Sequence, residues 1–141
     1  MRILASALTA ALVVATGACD DDDGENTGQT CAAPEDCYPG VDPAGILGEV
    51  RCLDRVPGGY CTHLCETDAD CCAAEGECET GIPQLCAPFE STGLRQCFLS
   101  CEPDVIGDLE EGDYCHENAN EAFLCRSTGG GSENRKVCVP E

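Results

Sequence analysis

Residues 3–15 are apolar at every position except Ser6 and Thr9, and no comparable run recurs downstream. Beyond position 19 the pattern breaks into short pieces set between cysteines and polar residues, without a sustained helical period. Turn signals are dense at Pro39-Gly40, Asp42-Pro43, Pro57-Gly58-Gly59, Gly81 with Pro83, and residues 129–131, which predicts a chain dominated by loops. Short β-favouring pieces at residues 49–53 and 136–139 predict small hairpins. Residues 117–124 form the best helical candidate, short enough to need a covalent brace.

The apolar run reads as an export signal. Met1 and Arg2 precede it, and the small residues Thr16-Gly17-Ala18 follow where a signal peptidase tolerates little bulk. It falls short of the roughly 20 residues that a bilayer-spanning helix needs. Removal of residues 1–18 takes away Arg2 alone among the charged side chains, so the remainder is one charge more negative than the −20 of the whole chain. That balance excludes nucleic acid, whose phosphates demand a basic face, and charge-driven docking on anionic lipid.

Core material is scarce. Leu, Ile, Val and Phe supply 20 of the 123 residues after position 18, and Trp is absent. A highly charged chain this poor in apolar side chains does not offset its conformational entropy by burial alone. The chain carries 15 cysteines, a density that marks a disulfide scaffold in an exported protein. The expected fold class is therefore small and disulfide-rich, with loops and short β-hairpins in about three cysteine-rich units and little regular helix.

Cys19 stands apart, directly behind the apolar run and in front of four aspartates, Asp20 to Asp23. The run Thr16-Gly17-Ala18-Cys19 resembles the lipobox of bacterial lipoproteins, with Thr16 where that family prefers Leu. The resemblance implies that Cys19 is acylated and becomes the new N-terminus; ordinary cleavage after Ala18 is the alternative. Parity favours acylation, since it leaves 14 cysteines to pair. The polar residues behind Cys19 predict an extended tether over residues 19–30. Asp20 resembles the inner-membrane retention signal of enteric lipoproteins, whereas the acidic run resembles the surface-export signal of other bacteria; the outer membrane or cell surface is the expectation.

Within the region 31–141 the cysteine spacing repeats about every 35 residues, giving units of about 31–65, 65–101 and 101–141. They hold Cys31, Cys37, Cys52 and Cys61; then Cys65, Cys71, Cys72, Cys78, Cys86 and Cys97; then Cys101, Cys115, Cys125 and Cys138. All fourteen are expected in disulfides, with the connectivity open and with adjacent Cys71 and Cys72 bonded to different partners. The C-x₂-D-x-D-C of residues 65–71, the Cys-Cys pair and the C-x₃-C closures resemble the Dickkopf N-terminal type of cysteine-rich repeat, which implies extracellular binding. A second partition, Cys61, Cys65, Cys71, Cys72, Cys78 and Cys86, resembles an inhibitor knot and implies target inhibition.

Chemical sites are few. Structural zinc favours C-x₂-C pairs, and none occurs; His63 and His116 read as surface residues. Calcium has two candidate places, Asp68 with Asp70 and the cluster Asp104, Asp108, Glu110, Glu111 and Asp113, but no EF-hand pattern exists. The favoured reading is that Asp36, Asp68 and Asp70 accept backbone N–H bonds in turns. No catalytic motif such as G-x-S-x-G appears, so no enzyme, metal or cofactor is expected. The rings Tyr38, Tyr60, Tyr114, Phe89, Phe98 and Phe123 are expected to pack on disulfides, with a contact patch as the alternative. The sequence thus reads as a lipid-anchored, non-enzymatic envelope protein whose partners are the membrane, through its anchor, and a protein or glycan. A structural or protective protein without a ligand and a small inhibitor are the alternatives.

Overall fold

Each cysteine-rich unit folds by clasping a short leading segment onto a β-hairpin. The computed structural model describes residues 26–78, 80–88, 93–128 and 134–141. Strand β1 (Val50–Cys52) pairs antiparallel with β2 (Cys61–His63), β3 (Gln84–Pro88) with β4 (Arg95–Leu99), and β5 (Phe123–Ser127) with β6 (Lys136–Pro140). In every hairpin one cysteine stands directly opposite another: Cys52 with Cys61, Cys86 with Cys97, Cys125 with Cys138. These facing cysteines do not bond to each other. Both reach back to the leading segment, giving Cys31–Cys52 and Cys37–Cys61, Cys65–Cys86 and Cys71–Cys97, Cys101–Cys125 and Cys115–Cys138. The middle unit adds a short bridge, Cys72–Cys78, so Cys71 and Cys72 do bond to different partners. Closing loops of this length stabilises the fold by about 3–4 kcal/mol per bridge, with overlapping loops contributing less than their sum. Because Cys61 bonds Cys37, the six-cysteine inhibitor-knot partition is ruled out.

The leading segments turn where an aspartate precedes the second cysteine. Asp36 Oδ2 accepts N–H bonds from Ala32 and Ala33 at 2.8 and 3.0 Å, around a 3₁₀ turn at Pro34–Asp36. Asp70 Oδ2 accepts from Glu66 and Thr67, both at 2.8 Å, in the 3₁₀ turn Asp68–Cys72. Asp68 Oδ1 accepts from the Cys86 N–H. Asp36 and Asp70 fill the turn roles expected of them, whereas Asp68 ties its turn to the distant strand β3 instead. The third unit has Tyr114 at the equivalent place and inserts two helices instead, α1 (Pro103–Ile106) and α2 (Glu111–Asn118).

Helix α2 corrects the predicted helix at residues 117–124. Acidic Glu111 and Asp113 occupy its first turn, where the helix dipole favours them, and Cys115 braces it to β6. It stops because Ala119 and Asn120 both donate to the Cys115 carbonyl. Asn120 then accepts from the Ala122 N–H in a turn that delivers Phe123 and Leu124 into β5.

The units join by one recurring device. Leu64 bridges to Gln96 and Ser100 to Val137; Cys65 N–H donates to the Arg95 carbonyl and Cys101 N–H to that of Lys136. Each unit thereby lays its exit strand along the second strand of the next hairpin. Residues 28–29 occupy the matching edge of β2, where Gly28 donates to Cys61 and Cys61 to Gln29. Asn26, Thr27 and Gly28 are buried, and Thr27 Oγ1 lies 2.8 Å from the Tyr38 hydroxyl. The predicted tether is therefore corrected for residues 26–30, which belong to the folded body; residues 19–25 lie outside the described residues.

The main core spans the three units, beside two smaller clusters around Tyr38 and around Cys71. Tyr60 stacks on Phe98 at 5.9 Å and tilts against Phe123 at 4.6 Å, so one ring from each unit meets at the centre. Leu85, Leu99, Ile106, Val137 and Val139 surround them. Among the described residues, no helix is long and apolar enough to cross a membrane.

Candidate functional site

The junction of the first two units carries the most chemistry. Gly48, at φ +129°, lies so close to the Leu64 carbonyl that a Cβ there would sit 2.0 Å from the oxygen. This contact and the Leu64 N–H bond to the Glu49 carbonyl, 3.0 Å, hold the loop before β1 against the end of β2. The loop presents Leu47, 52% exposed, and the approach to β4 presents Leu94, 39% exposed. Between them runs an open groove of about 780 Å³, whose walls include Glu49, Leu64, Glu66, Asp70 and Arg95. A neighbouring depression of about 410 Å³ shares Glu49 and Leu94 and continues past Val50, Leu53 and Gln96.

Charge in the larger groove is predominantly negative. The Arg95 guanidinium donates to the Glu66 and Cys86 carbonyls. The backbone N–H groups of Thr67 and Glu66 hold the Asp70 carboxyl below the usual carboxylate range, with Thr67 Oγ1 and the nearby His63 adding to the effect against a small opposing influence of burial.

Behind the groove lies a buried acid–base pair. His63 and Glu77 are fully buried, with His63 Nε2 2.7 Å from Glu77 Oε1 and His63 Nδ1 2.9 Å from the Leu64 carbonyl, which accepts. Glu77 Oε2 accepts from the Ala74 N–H, and Cys97 Sγ of the Cys71–Cys97 bridge lies 3.4 Å from His63 Nε2. Burial is the largest single influence on His63 and pulls its pKa down. The Glu77 hydrogen bond, the Leu64 carbonyl, the Glu77 charge and the Leu47 carbonyl together outweigh it, so the imidazole sits above its ordinary value. The expectation that His63 is a surface residue is thus corrected; His116, on α2, is exposed.

Of the two readings of the aromatic rings, the alternative of a contact patch is ruled out for the described ones. Tyr38, Tyr60, Tyr114, Phe98 and Phe123 are buried, and Phe89 lies outside the described residues. Tyr60, Phe98 and Phe123 pack on one another, and Tyr38 meets His63 edge-on at 5.6 Å. Asp68 pairs with Arg135 at 2.9 Å and Glu111 with Lys136. Among the described residues, Asp104, Asp108, Glu110, Glu111 and Asp113 do not converge as a ligand set. The groups of three metal-ligating side chains close enough to share an ion are Cys31, Cys37 and Cys61; Cys65, Cys71 and Cys97; and Cys101, Cys115 and Cys125. All nine sulfurs are spent in disulfides. Cys19 lies outside the described residues.

Leu47, Leu94 and Glu77 were not singled out by the sequence reading. Isolated leucines between polar residues and one glutamate among 27 acidic residues carry no local signal. No known protein family, curated protein or solved structure matches this chain.

Proposed function

We propose that this chain is exported, loses residues 1–18, is acylated at Cys19, and is held at the outer membrane or cell surface as a non-enzymatic binding module. Seven disulfides fit an oxidising, extracellular setting. The observation that carries the anchoring is the sulfur count: all fourteen cysteines from Cys31 onward bond among themselves, which leaves Cys19 over. An exposed odd thiol is a liability in an oxidising compartment, and a thioether-linked lipid removes it. Several acyl chains on one residue hold a protein firmly, since each buried CH₂ adds about 0.8 kcal/mol. The open groove with its exposed leucines supports binding over a purely structural role.

Metabolic labelling with radioactive palmitate in a bacterial host tests the anchor. Wild type incorporates label and stays with the membrane, and Cys19→Ala does neither while keeping its seven bridges. Unlabelled, freely secreted wild type refutes the anchoring. Pull-down from envelope extract tests the second half of the reading, which requires a saturable partner.

A further inference from the structure

We propose that the groove between the first two units docks an extended, cationic segment of a partner protein, with an aliphatic side chain of that segment seated on Leu47 and Leu94. This rests on the reading of the chain as an exported binding module and narrows its partner from a protein or glycan to a protein.

Three observations converge on one occupant. Leu47 and Leu94 both face this groove and are among the few large apolar side chains that the described residues leave exposed. Singly exposed leucines are ordinary, but two lining one depression give an apolar anchor point that a side chain covers at a gain. Charge comes next. Glu66 and Asp70 line the same walls and, among the described residues, bond no cation there: Glu49 beside them is paired with Arg51 at 3.3 Å, and Arg95 donates to two carbonyls. On a chain with net charge −20 the field at this place favours a Lys- or Arg-bearing segment and repels an acidic one.

The third observation lies where the groove continues past Leu94. Gln96 is 5% exposed, and among the described residues its Oε1 has no hydrogen-bond partner. A buried acceptor left without a donor costs about 1–3 kcal/mol, and a peptide N–H entering the depression satisfies it after a small side-chain shift. A glycan fits less well. Sugar recognition uses ring faces as stacking platforms, and the five described aromatic rings are all buried. The Arg51 and Arg55 side chains sit in this continuation with Asp54, so the basic residue of the occupant belongs at the Glu66 and Asp70 end.

Fluorescence anisotropy on the mature chain with disulfides intact tests the proposal. The probes are fluorescein-labelled dodecapeptides of alternating Lys and Leu, alternating Lys and Ser, and alternating Glu and Leu. The Lys–Leu peptide is expected to bind saturably and the Glu–Leu peptide not at all. Leu47→Ser with Leu94→Ser weakens Lys–Leu binding about tenfold or more, and Glu66→Gln weakens it several-fold. Both variants change exposed side chains, and an unchanged thiol count and near-ultraviolet circular dichroism verify their fold. Equal affinity for the Lys–Ser peptide, no saturable Lys–Leu binding, or full binding by the leucine variant overturns the groove. Envelope capture run alongside separates the two readings. A saturable partner held equally by wild type and the leucine variant overturns the groove alone, whereas capture of nothing by wild type overturns the binding-module reading and this one with it.

Discussion

Replacing Glu77 by Gln keeps the shape of the buried pair and removes its charge. In the wild type, the His63 pKa is raised above 6.5 because the hydrogen bond and charge of Glu77, with two backbone carbonyls, outweigh burial. Without the carboxyl, only the Leu64 and Leu47 carbonyls still oppose burial, so the folded-state pKa of His63 falls from its raised value. The size of the histidine contribution therefore separates the two proteins. For the wild type, protonation of His63 stabilises the fold fully below the unfolded pKa, and this stabilisation is lost as pH rises through the raised folded value. For Glu77→Gln, the contribution present at low pH is smaller by the fall in the folded-state value. Breaking a buried pair by removing one partner costs about 3–5 kcal/mol. That loss is expected in full near pH 5, where the imidazolium loses its counter-charge, and it shrinks toward pH 8 by about 1.4 kcal/mol for every unit separating the two His63 pKa values. Guanidinium unfolding of the unreduced protein at both pH values measures the free energies. NMR titration of the ring protons measures the pKa itself, because the chain has only two histidines and exposed His116 is separately assignable. An unaltered His63 titration in the variant, or an equal loss of stability at both pH values, would show that Glu77 does not set the charge of this histidine.

Other perturbations probe the scaffold. Peptide mapping under non-reducing conditions should recover first-to-third and second-to-fourth bridges in the first and third units, with Cys65–Cys86, Cys71–Cys97 and Cys72–Cys78 in the middle one, and a bridge joining two units would refute the topology. Replacing both cysteines of the buried Cys71–Cys97 bridge by Ala should cost about 3.5 kcal/mol of loop entropy plus a packing term, against about 2.5 kcal/mol for the short Cys72–Cys78 loop; thermal unfolding ranks the two. Gly48→Ala forces a Cβ into the Leu64 carbonyl and should destabilise by more than about 2 kcal/mol, whereas Gly40→Ala, also at positive φ but with nothing within 4 Å, should cost about 1 kcal/mol. Asp70, its pKa lowered, contributes stability above the unfolded pKa that disappears as pH falls through the folded one, so Asp70→Asn should flatten the acid limb of the stability profile.

Much of the architecture follows from local spacing. In the first two units a cysteine pair six residues apart, a stretch of turn residues, and two more cysteines nine or eleven residues apart mark out a small cross-linked hairpin, with the choice of bonded partners left open. Asp36 and Asp70 are legible for the same reason, since their acceptors and the N–H groups they bind lie within four residues. The helix is the instructive miss. Residues 117–124 have a reasonable composition for one, but Cys125 stands opposite Cys138 in a hairpin, and that pairing draws Phe123 and Leu124 into extended conformation.

The sequence by itself determined the class of fold, the even division of fourteen cysteines among three units, and the turn chemistry that starts the first two. Tertiary structure decided which sulfurs bond, that residues 26–30 fold in as an extra strand-like edge, that the Tyr60, Phe98 and Phe123 rings meet in one core, and that His63 finds Glu77.

 The Tyr60, Phe98 and Phe123 rings belong to three different units, and each is placed by its own hairpin. The physical reason for the division is range. Loop closure and turn hydrogen bonds act over a few residues and leave their mark in the spacing, whereas burial of a ring or a charge depends on surfaces that meet only after the units have docked.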